Sequence, residues 1–262
     1  MKTAKALTIA GSDSGGGAGI QADLKTFSAL GVYGASVITS ITAQNTVSVT
    51  AIQNIDVSVI EKQIDAVMSD IGAHAVKTGM LSTAEIIDIV SKGVAKFKIK
   101  KLVIDPVMVA KSGDKLLQSN AVQALIDQLI PQAYVVTPNI PEAEVLTGKK
   151  IESVEDMELA CRRILEMGCK TVVVKGGHLQ KEAEDVFFDG KKFYRLKTKR
   201  IRSKNTHGTG CTFSAAITAY LAKGKTATEA VILAKKYITK AIEHSYSIGK
   251  GHGPVHHFFN YY

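Results

Sequence analysis

The amino-acid sequence predicts an α/β protein with a mainly parallel central sheet. Short apolar runs alternate with segments of helical period, which is the pattern of βαβ units. Polar or glycine-rich clusters follow six of the runs, at the strand ends where open parallel sheets hold ligands. The 262 residues show no composition break, linker or internal repeat, so residues 1–262 are expected to form one domain.

Lys5 to Gly11 reads as the first strand, followed by a glycine-rich turn and a helix over about Gly19 to Leu30. Ala35 to Thr42 and Val49 to Ile55 read as two further strands. Val57, Ile60, Ile64, Val67, Met68 and Ile71 recur at helical spacing and predict an amphipathic helix. Short strands are expected at His74 to Val76 and Leu102 to Ile104, with a helix around Ile86 to Phe97 between them. Tyr134 to Thr137 and Thr171 to Val174 continue the series. Asp185 to Phe188 and Phe193 to Leu196 flank Asp189-Gly190, a two-residue hairpin signal. Helices from about Gly210 and about Thr226 close the chain.

Composition narrows the function classes. A hydrophobic share of 45% with 22% charged residues fits an ordinary soluble protein. No apolar stretch approaches the roughly 20 residues that span a bilayer. The first residues run straight into a strand without a secretory core, which points to the cytoplasm. Cys161, Cys169 and Cys211 are odd in number and lack C-x-x-C spacing, against a disulfide framework or a zinc site. The net charge of +9 suits anionic partners. Nucleic-acid motifs are absent, and the basic stretch from Lys191 to Lys204 alternates with apolar residues as on a solvated strand face.

The run His207-Gly208-Thr209-Gly210-Cys211-Thr212 carries the sharpest chemical signal. A glycine pair leads into a small-residue helix whose first N–H groups and dipole favour an anion. The same field favours thiolate at Cys211. An anion hole beside a deprotonatable group suits phosphoryl transfer. A plainer account makes Gly208 and Gly210 turn formers and Cys211 a small buried residue.

Gly11 to Gly19 contains a loose dinucleotide fingerprint at Gly17, Gly19 and Ala22. No acidic residue stands between Asp23 and Asp56 to hold a ribose, and no Walker lysine follows. The glycines therefore read as allowing close backbone approach to a small substrate, with Asp23 either an acceptor or a helix surface charge. Asp105 ends an apolar run. Asn139 with Glu142 reads as a capping box or as the start of a magnesium site that Glu142 shares with Asp105 through waters. Lys175 is either a point charge for a phosphate or a strand-end lysine. His252, His256 and His257 make a poor metal site because Gly253 and Pro254 break any helix that would align them. An ordered surface tail is expected there.

These motifs taken together resemble the ribokinase-like superfamily and, within it, the hydroxymethylpyrimidine/phosphomethylpyrimidine kinases of thiamine biosynthesis. The resemblance runs from Ala6 to about Val255. It rests on Ala10 to Thr26, Thr42 to Thr46, Lys77 to Leu81, Asp105 to Met108, Thr137 to Asn139 with Glu142, and His207 to Thr212. It implies a three-layer α/β/α sandwich that transfers the ATP γ-phosphoryl group to 4-amino-5-hydroxymethyl-2-methylpyrimidine and then to its monophosphate. By the same resemblance Gly11, Asp23, Gln44, Met80 and Val107 would bind the pyrimidine. Asp105 and Glu142 would organise Mg²⁺, and Asn139, Lys175 and Gly208 would join them around ATP. Gly208, Gly210, Cys211 and Lys175 would serve the transfer itself, in a homodimer. Cys211 stands where most of the superfamily has an aspartate base, and Asn205 where the family often has aspartate. A pyridoxal kinase of the same branch is the alternative, which Gln44 opposes because such kinases tend to have methionine there. A nicotinamide-dependent oxidoreductase would rest only on the loose glycine fingerprint.

Overall fold

A strand covered on both faces needs consecutive apolar residues, and the short runs at 102–104, 135–136 and 171–174 are buried throughout. The computed structural model describes residues 3–108, 119–177 and 183–262. Its strands are β1 (Lys5–Asp13), β2 (Tyr33–Gln44), β3 (Val49–Asn54), β4 (Ala75–Thr78), β5 (Leu102–Ile104), β6 (Val135–Val136), β7 (Thr171–Val174), β8 (Ala183–Phe188) and β9 (Phe193–Thr198). They form one sheet in the order β3-β2-β1-β4-β5-β6-β7-β8-β9. Pairing is parallel from β2 to β7 across the middle and antiparallel at both edges.

The helices are α1 (Gly19–Ala29), α2 (Val57–Ala66), α3 (Ala84–Lys96), α4 (Ser119–Ala124), α5 (Ile140–Thr147), α6 (Val154–Glu166), α7 (Thr209–Ala222) and α8 (Ala227–Glu243). Alternate strand residues enter two separate cores. Leu7, Ile9, Val76, Leu102, Ile104, Val136, Val172 and Val174 pack with α2, α3, α5 and α6. Ala6, Ala75, Val103, Val135 and Val173 pack with α1, α7 and α8. The result is the three-layer α/β/α sandwich. No helix among the described residues is long and apolar enough to cross a membrane.

The differences from expectation have local causes. β4 lies at Ala75–Thr78 rather than His74 to Val76, because Lys77 is taken into the ladder opposite Thr8. The β8–β9 connection spans residues 189–192, not the two-residue turn expected from Asp189-Gly190, since Phe188 pairs with Phe193. The Asp189 carboxylate accepts from the N–H groups of Lys191 at 2.8 Å and Lys192 at 2.7 Å, which stabilises the wider turn. The C-terminal segment packs on the body: Tyr261 Oη donates to the Ala29 carbonyl, and Phe258 and Phe259 cover the α8 core. His256 and His257 are buried, which corrects the expected surface tail.

Phe27 on α1 is fully buried and lies against Gly34 of β2, where an added Cβ would come within 3.0 Å of the ring. Phe27→Ala will therefore lower stability by about 3–5 kcal/mol, read as a shift of the urea midpoint at constant slope.

Candidate active site

The alternation of strand faces builds the site. Two positions beyond Ala6, Ala75, Val103, Val135 and Val173, the same face carries Thr8, Lys77, Asp105, Thr137 and Lys175. Hydrogen bonds join these polar side chains to one another and to α1 and α7. Lys77 and Asp23 of α1, both fully buried, form an ion pair at 2.8 Å, and Thr8 Oγ1 donates to the same carboxylate oxygen at 2.7 Å. Asp23 Oδ1 is buried without a partner among the described residues. Asp23 is thus no helix surface charge.

Asp105 Oδ1 accepts from Lys175 Nζ at 2.9 Å and from Thr137 Oγ1 at 3.2 Å, while Oδ2 accepts from Ser214 Oγ of α7 at 3.2 Å. The capping box is formed: Asn139 Oδ1 accepts from Glu142 N–H at 2.9 Å and Glu142 Oε2 accepts from Asn139 N–H at 2.8 Å. The same Glu142 oxygen lies 3.9 Å from Lys175 Nζ. Gly210 opens the helix beside this group, since an added Cβ would stand 3.3 Å from Lys175 Nζ.

Burial opposes the charge on Asp105, yet Lys175 and Lys77 hold its carboxyl below the ordinary range. Burial raises Glu142 to about 7, with Lys175 opposing the rise and Asp105 adding to it. Burial alone would lower Lys77 and Lys175, but Asp23, Asp105 and Glu142 keep both lysines firmly protonated. The expectation of a thiolate at Cys211 is overturned. Burial is the largest influence and pushes the thiol up to about 12, with Lys77 and the Gly19 N–H opposing the rise and Asp23 and Asp105 adding to it.

Gly208 caps α7 at φ +76, and an added Cβ would collide with the Gly17 carbonyl. Gly208 therefore does more than turn the chain, because it lets two loops touch. Gly11 sits at the register shift in β1, and the Met80 side chain fills the space its Cβ would need. Met80 is buried, its carbonyl accepting from Thr39 Oγ1 at 2.9 Å. Val107 lines a small cleft with Thr78, Gly79 and Asp105. Gln44 lies at the end of β2, its Nε2 3.4 Å from His207 Nε2. A larger cavity of about 140 Å³ lies apart from the charged cluster, between Gly15 to Gly17 and the C-terminal segment. The late histidines have separate partners: His252 binds the Lys204 carbonyl, His256 the Tyr262 carbonyl and His257 the Thr212 hydroxyl. No group of three His, Cys, Asp or Glu that could hold a metal occurs among the described residues.

The sheet order, buried lysine–carboxylate pairs and glycine-led helix form an α/β site whose charges and helix N-terminus suit an anion. The family pattern described as phosphomethylpyrimidine kinase matches residues 13–256. The hydroxymethylpyrimidine/phosphomethylpyrimidine kinase of Rhizobium meliloti is 55% identical over 264 residues, covering 99% of both chains. The phosphomethylpyrimidine kinase of Clostridium difficile superposes with a TM-score of 0.83 at 53% identity, covering 91% of this chain and 99% of that one. An ADP complex of Bacillus subtilis pyridoxal kinase superposes with a TM-score of 0.91 at 44% identity, covering 98% of both. The chain belongs to the phosphomethylpyrimidine kinase family.

Sequence reading missed Lys77 as the partner of Asp23, and Asp13 as the partner of His207. A charge flanked by the buried Val76 and Thr78 was the available signal for the first. The second left none, because its partner is 194 residues away.

Two measurements test the electrostatics. Glu142 titrates near 7 in the folded chain against an ordinary value of 4.5. The folded state therefore holds the extra proton between these values, and stability falls as pH rises through that window. Glu142→Gln keeps an acceptor for the cap and removes the titration. In urea unfolding without divalent cations from about pH 5 to about pH 8, this variant will gain stability relative to the parent chain as pH rises. At about pH 8, a thiol titrating near 12 carries roughly a thousandfold less thiolate than an ordinary cysteine. Iodoacetamide will label Cys211 slower than free cysteine by about that factor, as read by peptide mass.

Proposed function

We propose that the chain is an ATP-dependent kinase of 4-amino-5-hydroxymethyl-2-methylpyrimidine and of its monophosphate, working as one domain. The observation that carries this reading is the Asp105–Lys175–Glu142 cluster set against the first turn of α7, in a chain of this family. Lys175 supplies a fixed positive charge for the triphosphate, and the N–H groups after Gly208 face the transferring phosphoryl group. Asn139 shapes the same wall by capping α5. Asp105 and Glu142 fit a hydrated Mg²⁺, which needs only one or two carboxylates and takes its other oxygens from water and triphosphate. When bound, the ion neutralises charge on the phosphate oxygens.

On the acceptor side, the unpartnered Asp23 Oδ1 offers an acceptor to an amino group on the ring. Gln44 offers both donor and acceptor to a pyrimidine edge, and Gly11, Met80 and Val107 give apolar contact. Cys211 works as a neutral thiol beside the acceptor oxygen. A loose phosphoryl-transfer transition state asks more for placement than for a strong base. Ile41, Val47 and Ile52 on the β2–β3 hairpin are exposed and offer a surface for a second copy in a homodimer.

ADP release with Mg-ATP and, separately, the pyrimidine, its monophosphate and pyridoxal tests the assignment, with products identified by mass. Turnover of both pyrimidines with pyridoxal much slower is expected. Preference for pyridoxal would leave the phosphate site intact and remove the pyrimidine reading. Gln44→Met will shift the ratio of kcat/KM values from pyrimidine toward pyridoxal by about tenfold, and an unchanged ratio would take Gln44 out of recognition.

A further inference from the structure

A further buried pair, Asp13 and His207, lies outside the steps described above. Asp13 ends β1 and is 2% exposed. Its Oδ1 accepts from Gly15 N–H at 2.8 Å, and its Oδ2 accepts from Gly17 N–H at 3.0 Å and Ala18 N–H at 2.8 Å. His207 Nε2 lies 2.9 Å from the same Oδ2. An ionised carboxylate only accepts, so the imidazole N–H donates. One side chain thus gathers three loop amides and a histidine that directly precedes Gly208.

The two segments also interlock without side-chain hydrogen bonds. An added Cβ on Gly17 would strike the His207 ring, and one on Gly208 would strike the Gly17 carbonyl. The backbone of His207 is held from behind, donating to the Gly253 carbonyl at 3.0 Å. Ser14 exchanges hydrogen bonds with the Gln44 backbone at 2.7 and 2.8 Å, which brings the end of β2 into the same assembly. Burial opposes the charge on Asp13, but His207 and the loop amides hold its carboxyl below the ordinary range.

We propose that Asp13 and His207 are positioning residues that lock the acceptor-side loop, Gly15 to Ala18, onto the phosphoryl-side turn at Gly208. The acceptor oxygen and the transferring phosphoryl group then meet in one register. This inference rests on the kinase reading for its kinetic consequence, though not for its structural one. Misplacement of reacting groups by about 1 Å costs on the order of a hundredfold in rate.

Steady-state kinetics with ATP and the pyrimidine varied separately supply the first readout. His207→Ala will lower kcat by about 10- to 100-fold and leave KM for ATP within about twofold, since Lys175 and Asp105 are untouched. His207→Gln, which restores a donor, will recover most of the loss. Asp13→Asn combined with His207→Ala will be no slower than the poorer single variant, because both remove one link. A normal kcat in His207→Ala, losses that multiply in the double variant, or no recovery in His207→Gln would each overturn the proposal. If His207→Ala does not fold, Asp13→Asn takes its place in the kinetic readout and in the exchange readout, with the same expected losses. Hydrogen exchange gives a second readout independent of turnover. Exchange at Gly17 and Ala18 will quicken in His207→Ala, and unchanged exchange would sink the lock. A parent chain that turns over neither pyrimidine nor pyridoxal would remove the kinase reading while leaving the exchange test intact.

Discussion

Charge burial is the constraint on which the rest of the molecule depends. Removing a lysine or a carboxylate from water costs several kcal/mol unless an opposite charge sits close by with good geometry. Lys77 meets Asp23 at 2.8 Å and Lys175 meets Asp105 at 2.9 Å, with three of these four side chains almost wholly enclosed. Each pair joins elements far apart in sequence: β4 with α1, and the end of β7 with the end of β5. Neither half can be buried before the other arrives. The pairs therefore fix α1 and the four-strand run β4 to β7 relative to one another, and the charged wall of the candidate site is set by the same contacts.

Much of this was legible because it is local. Buried valines at consecutive positions announce two-sided strands, and the polar residue two places on announces the site face. Asp105, Thr137 and Lys175 follow that rule. Gly208 was legible as a cap, though its contact with Gly17 was not. The helix α6 went unnamed although Met157, Ala160, Cys161 and Ile164 mark a buried stripe at helical spacing. The expected strand stopped at Val76 and left Lys77 outside it, because the enclosure of Lys77 depends on Asp23, 54 residues earlier. Side chains whose state is set by a distant partner leave no periodic trace.

Cys211 shows how a correct local rule can lose to its surroundings. A helix N-terminus is worth about 0.3–1 kcal/mol to an exposed anion. A rise from 9.0 to about 12 corresponds to roughly 4 kcal/mol at most in the opposite direction. Desolvation is the largest cause and prevails over the attraction of Lys77, while Asp23 and Asp105 add repulsion. The dipole that would welcome a phosphate therefore does not hold a thiolate.

The same balance suits the site to its ligand. Burial pushes the Asp23 carboxyl up against the opposing charge of Lys77, while Asp105 is held below the ordinary range and both lysines stay protonated. Glu142 is the variable member: near neutral pH, its proton is easily gained or lost. Under the proposed function, an arriving triphosphate would meet a wall without excess negative charge. Lys175 already stands between two carboxylates and need not move far to share its charge with an anion. A neutral thiol and a pre-set electrostatic wall leave rate enhancement to geometry, and geometry here is held by buried pairs rather than by loops free to adjust. That is why the contact between the two glycine-bearing loops matters more to this site than the acidity of any single residue in it.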